Sequence, residues 1–105
     1  MSINIADVQR LCRSGFFRWT DHAVKRIIKR AISRADVKQV LQNGEIIEQY
    51  PHDYPFPSCL VSGITNDHHH LHVVCGIGEG QLWVISSYRP DSQKWTDNFR
   101  KRKES

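Results

Sequence analysis

Apolar spacing along this 105-residue chain changes period once, at Gly44, and that switch confines the fold to helices followed by strands. Before it, Ile5, Val8, Leu11 and Cys12 recur at helical spacing, as do Ala23, Val24, Ile27, Ile28 and Ala31, and then Val37, Val40 and Leu41. Ser2 or Asn4, Thr20, and Ser33 with Asp36 are N-cap signals, while Gly15 and Asn43-Gly44 are stops. Three short helices are predicted, joined by an aromatic link, Phe16 to Trp19, that is expected to bury against the core. After Gly44, strand formers occupy Glu45 to Tyr50, Cys59 to Thr65, Leu71 to Ile77 and Leu82 to Arg89. The proline-rich stretch 51–57, Asn66-Asp67 and Gly78-Glu79-Gly80 separate them. The expected fold is α+β, with the N-terminal helices packed on a four-stranded antiparallel meander. Trp95 and Phe99, at i and i+4 after Asp91 or Ser92, predict a short C-terminal helix. The whole chain, 1–105, is read as a single domain ending in a mobile basic tail, 100–105.

The second helix is two-faced. Opposite its apolar side stand His22, Lys25, Arg26, Lys29 and Arg30, with His22, Arg26 and Arg30 along one line at i, i+4 and i+8. After Asp21 no acid offsets these charges, whereas a merely solvated helix usually mixes signs. Thr20 to Ala31 holds four Lys/Arg against one Asp, and the tail holds four against one Glu, so the remainder of a chain of net charge +4 is net negative. Two basic segments of this kind are what phosphate backbones recruit.

No apolar run approaches the roughly 18 residues of a membrane span, and no targeting segment is visible. Cys12, Cys59 and Cys75 are odd in number and form no Cys-x-x-Cys pair, which fits a reducing compartment. A cytoplasmic protein without membrane contact is expected.

If Gly78 to Gly80 is a three-residue loop, Ile77 pairs with Gln81 and His72 lies opposite Ser86, with Tyr88 near His70. Leu71, Val73, Cys75, Ile77, Trp83 and Ile85 then face the helices, and His70, His72, Ser86 and Tyr88 the other side. A four-residue loop brings Ser87 across from His72 instead. His68, His69, His70 and His72 raise a metal reading, but no third ligand at a zinc spacing accompanies them, so neither metal nor cofactor is expected. No phosphate loop or nucleophile elbow is present. Histidine beside arginine suits metal-independent RNA cleavage, with imidazoles exchanging protons with the 2′- and 5′-oxygens and guanidiniums holding the phosphate. His22, His72, Arg30 and Tyr88 are the expected catalytic residues. Arg18, Arg26, Lys29 and Arg89 are the expected substrate-binding ones. The mechanism requires the cationic helix to meet the strand bearing His72.

The run His22-x-x-x-Arg26-x-x-x-Arg30-x-Ile32-Ser33-x-x-Asp36-Val37 is followed by Gly44-Glu45-Ile46-Ile47-Glu48-x-Tyr50-Pro51 and Pro55-x-Pro57-Ser58-Cys59-Leu60. Leu71-His72-Val73-Val74 and Tyr88-x-Pro90-Asp91-x-x-x-Trp95 complete a pattern spanning about Val8 to Arg102. It resembles a bacterial family of small proteins of unknown function that look like relatives of the RelE/MqsR-like toxins. The resemblance implies a RelE/barnase-like fold, messenger-RNA endonuclease activity and an antitoxin partner, often one with a zinc finger. RelE-type enzymes rely on lysine, arginine and tyrosine rather than on paired histidines, so the roles of His22 and His72 rest on chemistry alone. A non-catalytic nucleic-acid or partner-binding module using the same basic face is the alternative.

Overall fold

The computed structural model describes residues 2–103. Three helices form where the caps place them: α1 (Ile5–Ser14), α2 (Asp21–Lys29) and α3 (Arg34–Asn43). Asn4, Thr20 and Ser33 each accept a backbone N–H of the first turn, at 2.8, 3.0 and 3.0 Å. Gly15 closes α1 at φ 82°, the left-handed conformation that a helix stop favours. Thr20→Ala removes one such cap and is expected to cost about 1 kcal/mol, read as a lower urea midpoint.

The sheet departs from the expected meander. Its five strands run in the order β1-β5-β4-β3-β2, and β1 (Phe17–Trp19) lies parallel to β5 (Gln81–Tyr88). The aromatic link is therefore a strand. Leu82 donates to the Phe16 carbonyl and Thr20 to the Val84 carbonyl, so three residues, two of them the β-formers Phe17 and Trp19, pair at the edge before the chain turns into α2. β2 (Glu45–Tyr50), β3 (Ser58–Ile64), β4 (His70–Gly78) and β5 follow as antiparallel neighbours.

The β4–β5 turn holds only two residues, Glu79 and Gly80, at φ 56° and 73°, and Gly78 pairs with Gln81. Farther on, Ile85 is an extra residue in β5, so Val74 pairs with Ser86 while Cys75 pairs with Val84. The shorter turn places Leu82 and Val84, rather than Trp83 and Ile85, in the core with Leu71, Val73 and Cys75. The bulge then sets His72 opposite Tyr88 rather than Ser86.

All three helices cover one face of the sheet. Val8, Leu11, Ala23, Ile27, Val37, Val40 and Leu41 meet the inward residues of β3, β4 and β5 there. Ile28, expected on the apolar side of α2, is 73% exposed.

The C-terminal segment is not a helix. Trp95–Thr96 (β6) pairs with Lys101–Arg102 (β7) in a separate two-stranded sheet. Asp97, Asn98 and Phe99 turn between them at φ 54°, 57° and 66°, a left-handed run that no amphipathic helix contains. The described part of the expected mobile tail is thus ordered by pairing; positions 104 and 105 lie outside the described residues. Among the described residues no helix is long and apolar enough to cross a membrane.

Candidate functional site

The face of the sheet turned away from the helices carries Glu48 and Tyr50 from β2, Ser62 from β3, His72 from β4 and Tyr88 from β5, because residues paired across strands share a face. The β6–β7 hairpin lies over this face. His72 is completely buried beneath it, and its ring stands edge-on to Trp95 at 4.5 Å and to Tyr88 at 5.3 Å. Nε2 lies 2.7 Å from the Phe99 carbonyl, and Nδ1 lies 3.2 Å from the Tyr88 hydroxyl. A carbonyl only accepts, so Nε2 carries the proton and Nδ1 accepts from Tyr88. Burial holds the His72 pKa below its ordinary value, against the opposing pull of the Phe99 carbonyl and Glu48, and the ring is neutral at neutral pH. Burial likewise raises the Tyr88 pKa, so its hydroxyl keeps the proton that it shares with His72.

Arg102 fixes the hairpin. Its guanidinium donates to both oxygens of Glu48, at 2.8 and 3.1 Å, and lies 4.7 Å from the centre of the Trp95 ring. Burial alone would raise the Glu48 pKa, but hydrogen bonds from Arg102 and Tyr50 outweigh it and hold the carboxyl below its ordinary range. The Tyr50 hydroxyl donates to the same carboxylate at 2.5 Å, and burial together with that bond pushes its pKa up to about 12.

Beside Tyr88 the surface opens into a groove of about 590 Å³. Arg30, Arg89, Lys94 and the Glu48-paired Arg102 line it with the carboxylate of Asp91; the first three make no salt bridge among the described residues and outnumber that carboxylate, so the field favours an anion. Arg30 arrives from the end of α2. Because β1 pairs only with Leu82 to Val84, the outer edge of β5 is free beyond Val84, and Arg30 donates there to the Ser87 carbonyl at 2.7 Å. Arg89 donates to the carbonyls of Arg30 and Ala31 at 2.6 and 3.0 Å, capping α2 where its dipole is negative. Two neighbouring guanidiniums are thereby held by backbone, each with further N–H donors available.

Of the residues singled out in the sequence, the structure brings together His72, Tyr88, Arg30 and Arg89. His22 is exposed on α2, on the helix side of the sheet, while His72 faces the opposite side, so the two imidazoles do not share a site. Arg26 and Lys29 lie on α2 outside the groove lining, and Arg18 donates to Gln81 at 2.5 Å on β1. Four contributors escaped the sequence reading. Glu48 and Tyr50 carry a signal in hindsight, a two-residue spacing on one strand face. Lys94 carries none, because the hairpin beside it has no local signature, and Arg102 was read only as part of a mobile basic tail. Among the described residues no group of three His, Cys, Asp or Glu is arranged to hold a metal ion.

A family model described as a domain of unknown function (DUF4258) matches residues 19–89, from the end of β1 to the residue after β5. No curated protein and no solved structure matches the chain.

Proposed function

We propose a function from the chain's own site, because the family to which this chain belongs, DUF4258, is one of unknown function: the groove binds RNA and cleaves it without metal, as the endoribonuclease toxin of a toxin–antitoxin pair. The observation that carries this reading is a neutral His72, oriented by the Phe99 carbonyl, that accepts from the hydroxyl of a tyrosine at the edge of a cationic groove. In the proposed reaction the 2′-hydroxyl proton passes to the Tyr88 oxygen as the Tyr88 proton moves to Nδ1 of His72. The 2′-oxygen bonds to phosphorus, the bond to the 5′-oxygen breaks, and that oxygen takes a proton from Lys94. Cyclic phosphate and 5′-hydroxyl ends result. Arg30 and Arg89 hold the non-bridging oxygens, where negative charge grows in the transition state.

This arrangement uses tyrosine, arginine and lysine rather than paired histidines, which supports the likeness to RelE-type toxins drawn from the sequence pattern. The antitoxin partner and action on messenger RNA belong to the same proposal. Induced expression in bacteria is expected to arrest growth, and Tyr88→Phe to relieve the arrest while slowing cleavage by about 10²–10⁴-fold. Arg30→Ala is expected to slow cleavage by about 10²-fold and to weaken RNA binding as well. A wild-type protein that neither arrests growth nor cleaves RNA or translating ribosomes overturns the enzymatic reading.

The alternative, a non-catalytic RNA-binding module, draws support from the same imidazole, since both nitrogens of His72 are engaged within the protein. It predicts salt-sensitive RNA binding that Arg30→Ala weakens and Tyr88→Phe leaves unchanged, with no cleavage.

A further inference from the structure

A second pocket, of about 520 Å³, opens on the other side of His72. The strand register fixes the relation between the two cavities. Tyr88, at the groove, is the partner of His72 on β5, and Ser62, in the pocket, is its partner on β3. All three side chains share one face, so Ser62 and Tyr88 stand two strand spacings apart, roughly 10 Å. The β6–β7 hairpin forms the ridge between the cavities, giving Trp95 and Arg102 to the groove and Asn98 and Arg100 to the pocket.

The cavities differ in charge. In the pocket Arg100 is paired with Glu45 at 3.3 Å and with Asp97 at 3.5 Å, so its charge is offset. In the groove Arg102 is likewise offset by Glu48, but Arg30, Arg89 and Lys94 make no salt bridge among the described residues and outnumber Asp91. The polar groups of the pocket are uncommitted. The Ser62 hydroxyl, the Asn98 amide and the His70 ring make no side-chain hydrogen bond among the described residues, and Asn43 uses only its NH2, toward Gln39. His70 adds an aromatic wall, tilted against Phe99 at 4.5 Å. Asn98 is held at φ 57°, a left-handed conformation that asparagine tolerates better than most residues, and the turn sets it on the pocket lining.

We infer that this pocket takes a nucleobase, and that it selects the base next to the phosphate held in the groove. A charge-balanced cavity with amide, hydroxyl and aromatic groups suits the uncharged end of a nucleotide, and the cationic groove suits the charged end. One nucleotide reaches across the ridge between them. Asn98 reads the base edge, since an amide offers a donor and an acceptor side by side. The inference rests on the groove as a phosphate site, but uncharged nucleosides test the pocket alone.

The experiment follows backbone amide signals of the full chain by NMR while adenosine, inosine, cytidine and uridine are added in turn, with inorganic phosphate titrated separately. Nucleosides are expected to shift Ser62, His70 and Asn98, with affinities differing by about five- to a hundredfold among the bases. Asn98→Asp exchanges the donor for an acceptor in a residue that also accepts a left-handed backbone, and it is expected to change the order of preference. Thermal unfolding of the variant confirms that the hairpin is intact; if it is not, Ser62→Ala provides the same comparison from within β3. No shift at these residues, or equal affinity for all four nucleosides, overturns the inference. Phosphate that fails to shift Arg30 and Arg89 counts against the groove reading instead, so the two failures are distinguishable.

Discussion

His72→Ala is expected to lower folding stability by about 3–5 kcal/mol, a large share of the roughly 5–15 kcal/mol available to a domain of this kind. The imidazole is fully buried between Trp95 and Tyr88, so its loss leaves a cavity, and it strips the Phe99 carbonyl and the Tyr88 hydroxyl of their partner. His72→Phe fills the site with a somewhat larger ring and is expected to cost about 1–3 kcal/mol, from the lost hydrogen bonds and mild overpacking. The same burial dictates a pH dependence. Above the ordinary histidine value of 6.5 the folded and unfolded chains both hold a neutral ring, and stability is full. As the pH falls through 6.5 the unfolded chain takes up a proton that the folded chain resists, so stability falls until the depressed folded pKa is passed. Glu48 adds a separate loss only below its ordinary 4.5, because Arg102 and Tyr50 hold its folded pKa down. Melting temperature measured between about pH 8 and pH 5 is expected to drop in the wild type and to stay flatter in His72→Phe. A wild-type protein equally stable across that window sinks the assignment of a buried neutral imidazole. If the enzymatic reading holds, cleavage falls only at lower pH, as the folded chain passes its own depressed His72 pKa, since protonated His72 cannot accept from Tyr88.

How far the molecule was legible in its sequence depended on whether each signal was local. Thr20 and Ser33 announce their helices because a cap is made within one turn, and those helices form as expected. Phe17 to Trp19 is too short for alternation to register, and its partner lies more than sixty residues away, so the parallel strand went unseen. Gly78-Glu79-Gly80 accommodates loops of different length, and nothing in the residues around Ile85 marks a bulge; the shorter turn moved Trp83 to the outer face, and the bulge set His72 opposite Tyr88. There it packs against Phe56 at 6.0 Å. For the site, residue type was the useful signal. Histidine, tyrosine and arginine were suspected by chemistry, and His72, Tyr88, Arg30 and Arg89 converge. His22 belonged to the same pattern, but its place on α2 puts it on the far side of the sheet from His72. The basic tail misled most, since charge suggested solvent while Arg102 was neutralised by Glu48, fifty-four residues earlier in the chain.

Gly44 was legible as a helix stop but for the wrong physical reason. It follows α3 at φ −86° and ψ −172°, an extended conformation open to any residue, so freedom of the backbone is not what it supplies. It supplies space. A Cβ at this position would stand 2.5 Å from the Ser62 carbonyl oxygen and 2.6 Å from that of Val40. Both are main-chain atoms, and no rotamer change relieves the overlap. Gly63 sits in the same seam, where its own Cβ would meet Val40 at 3.1 Å and the Gly44 Cα at 3.3 Å. Gly44→Ala must therefore push the last turn of α3 off β3 or break the pairing of Glu45 with Ser62, and is expected to cost about 3 kcal/mol. Gly15→Ala is the contrasting case. Its Cβ meets nothing within 4 Å, and the cost there is only that of a left-handed alanine at φ 82°, about 1 kcal/mol. Urea midpoints of the two variants separate the effects, with Gly44→Ala expected to fall well below Gly15→Ala. A Gly44→Ala protein within about 0.5 kcal/mol of wild type would show that the helix and sheet do not approach this closely. Because Gly44 and Ser62 both line the second pocket, the same displacement is expected to weaken nucleoside binding there.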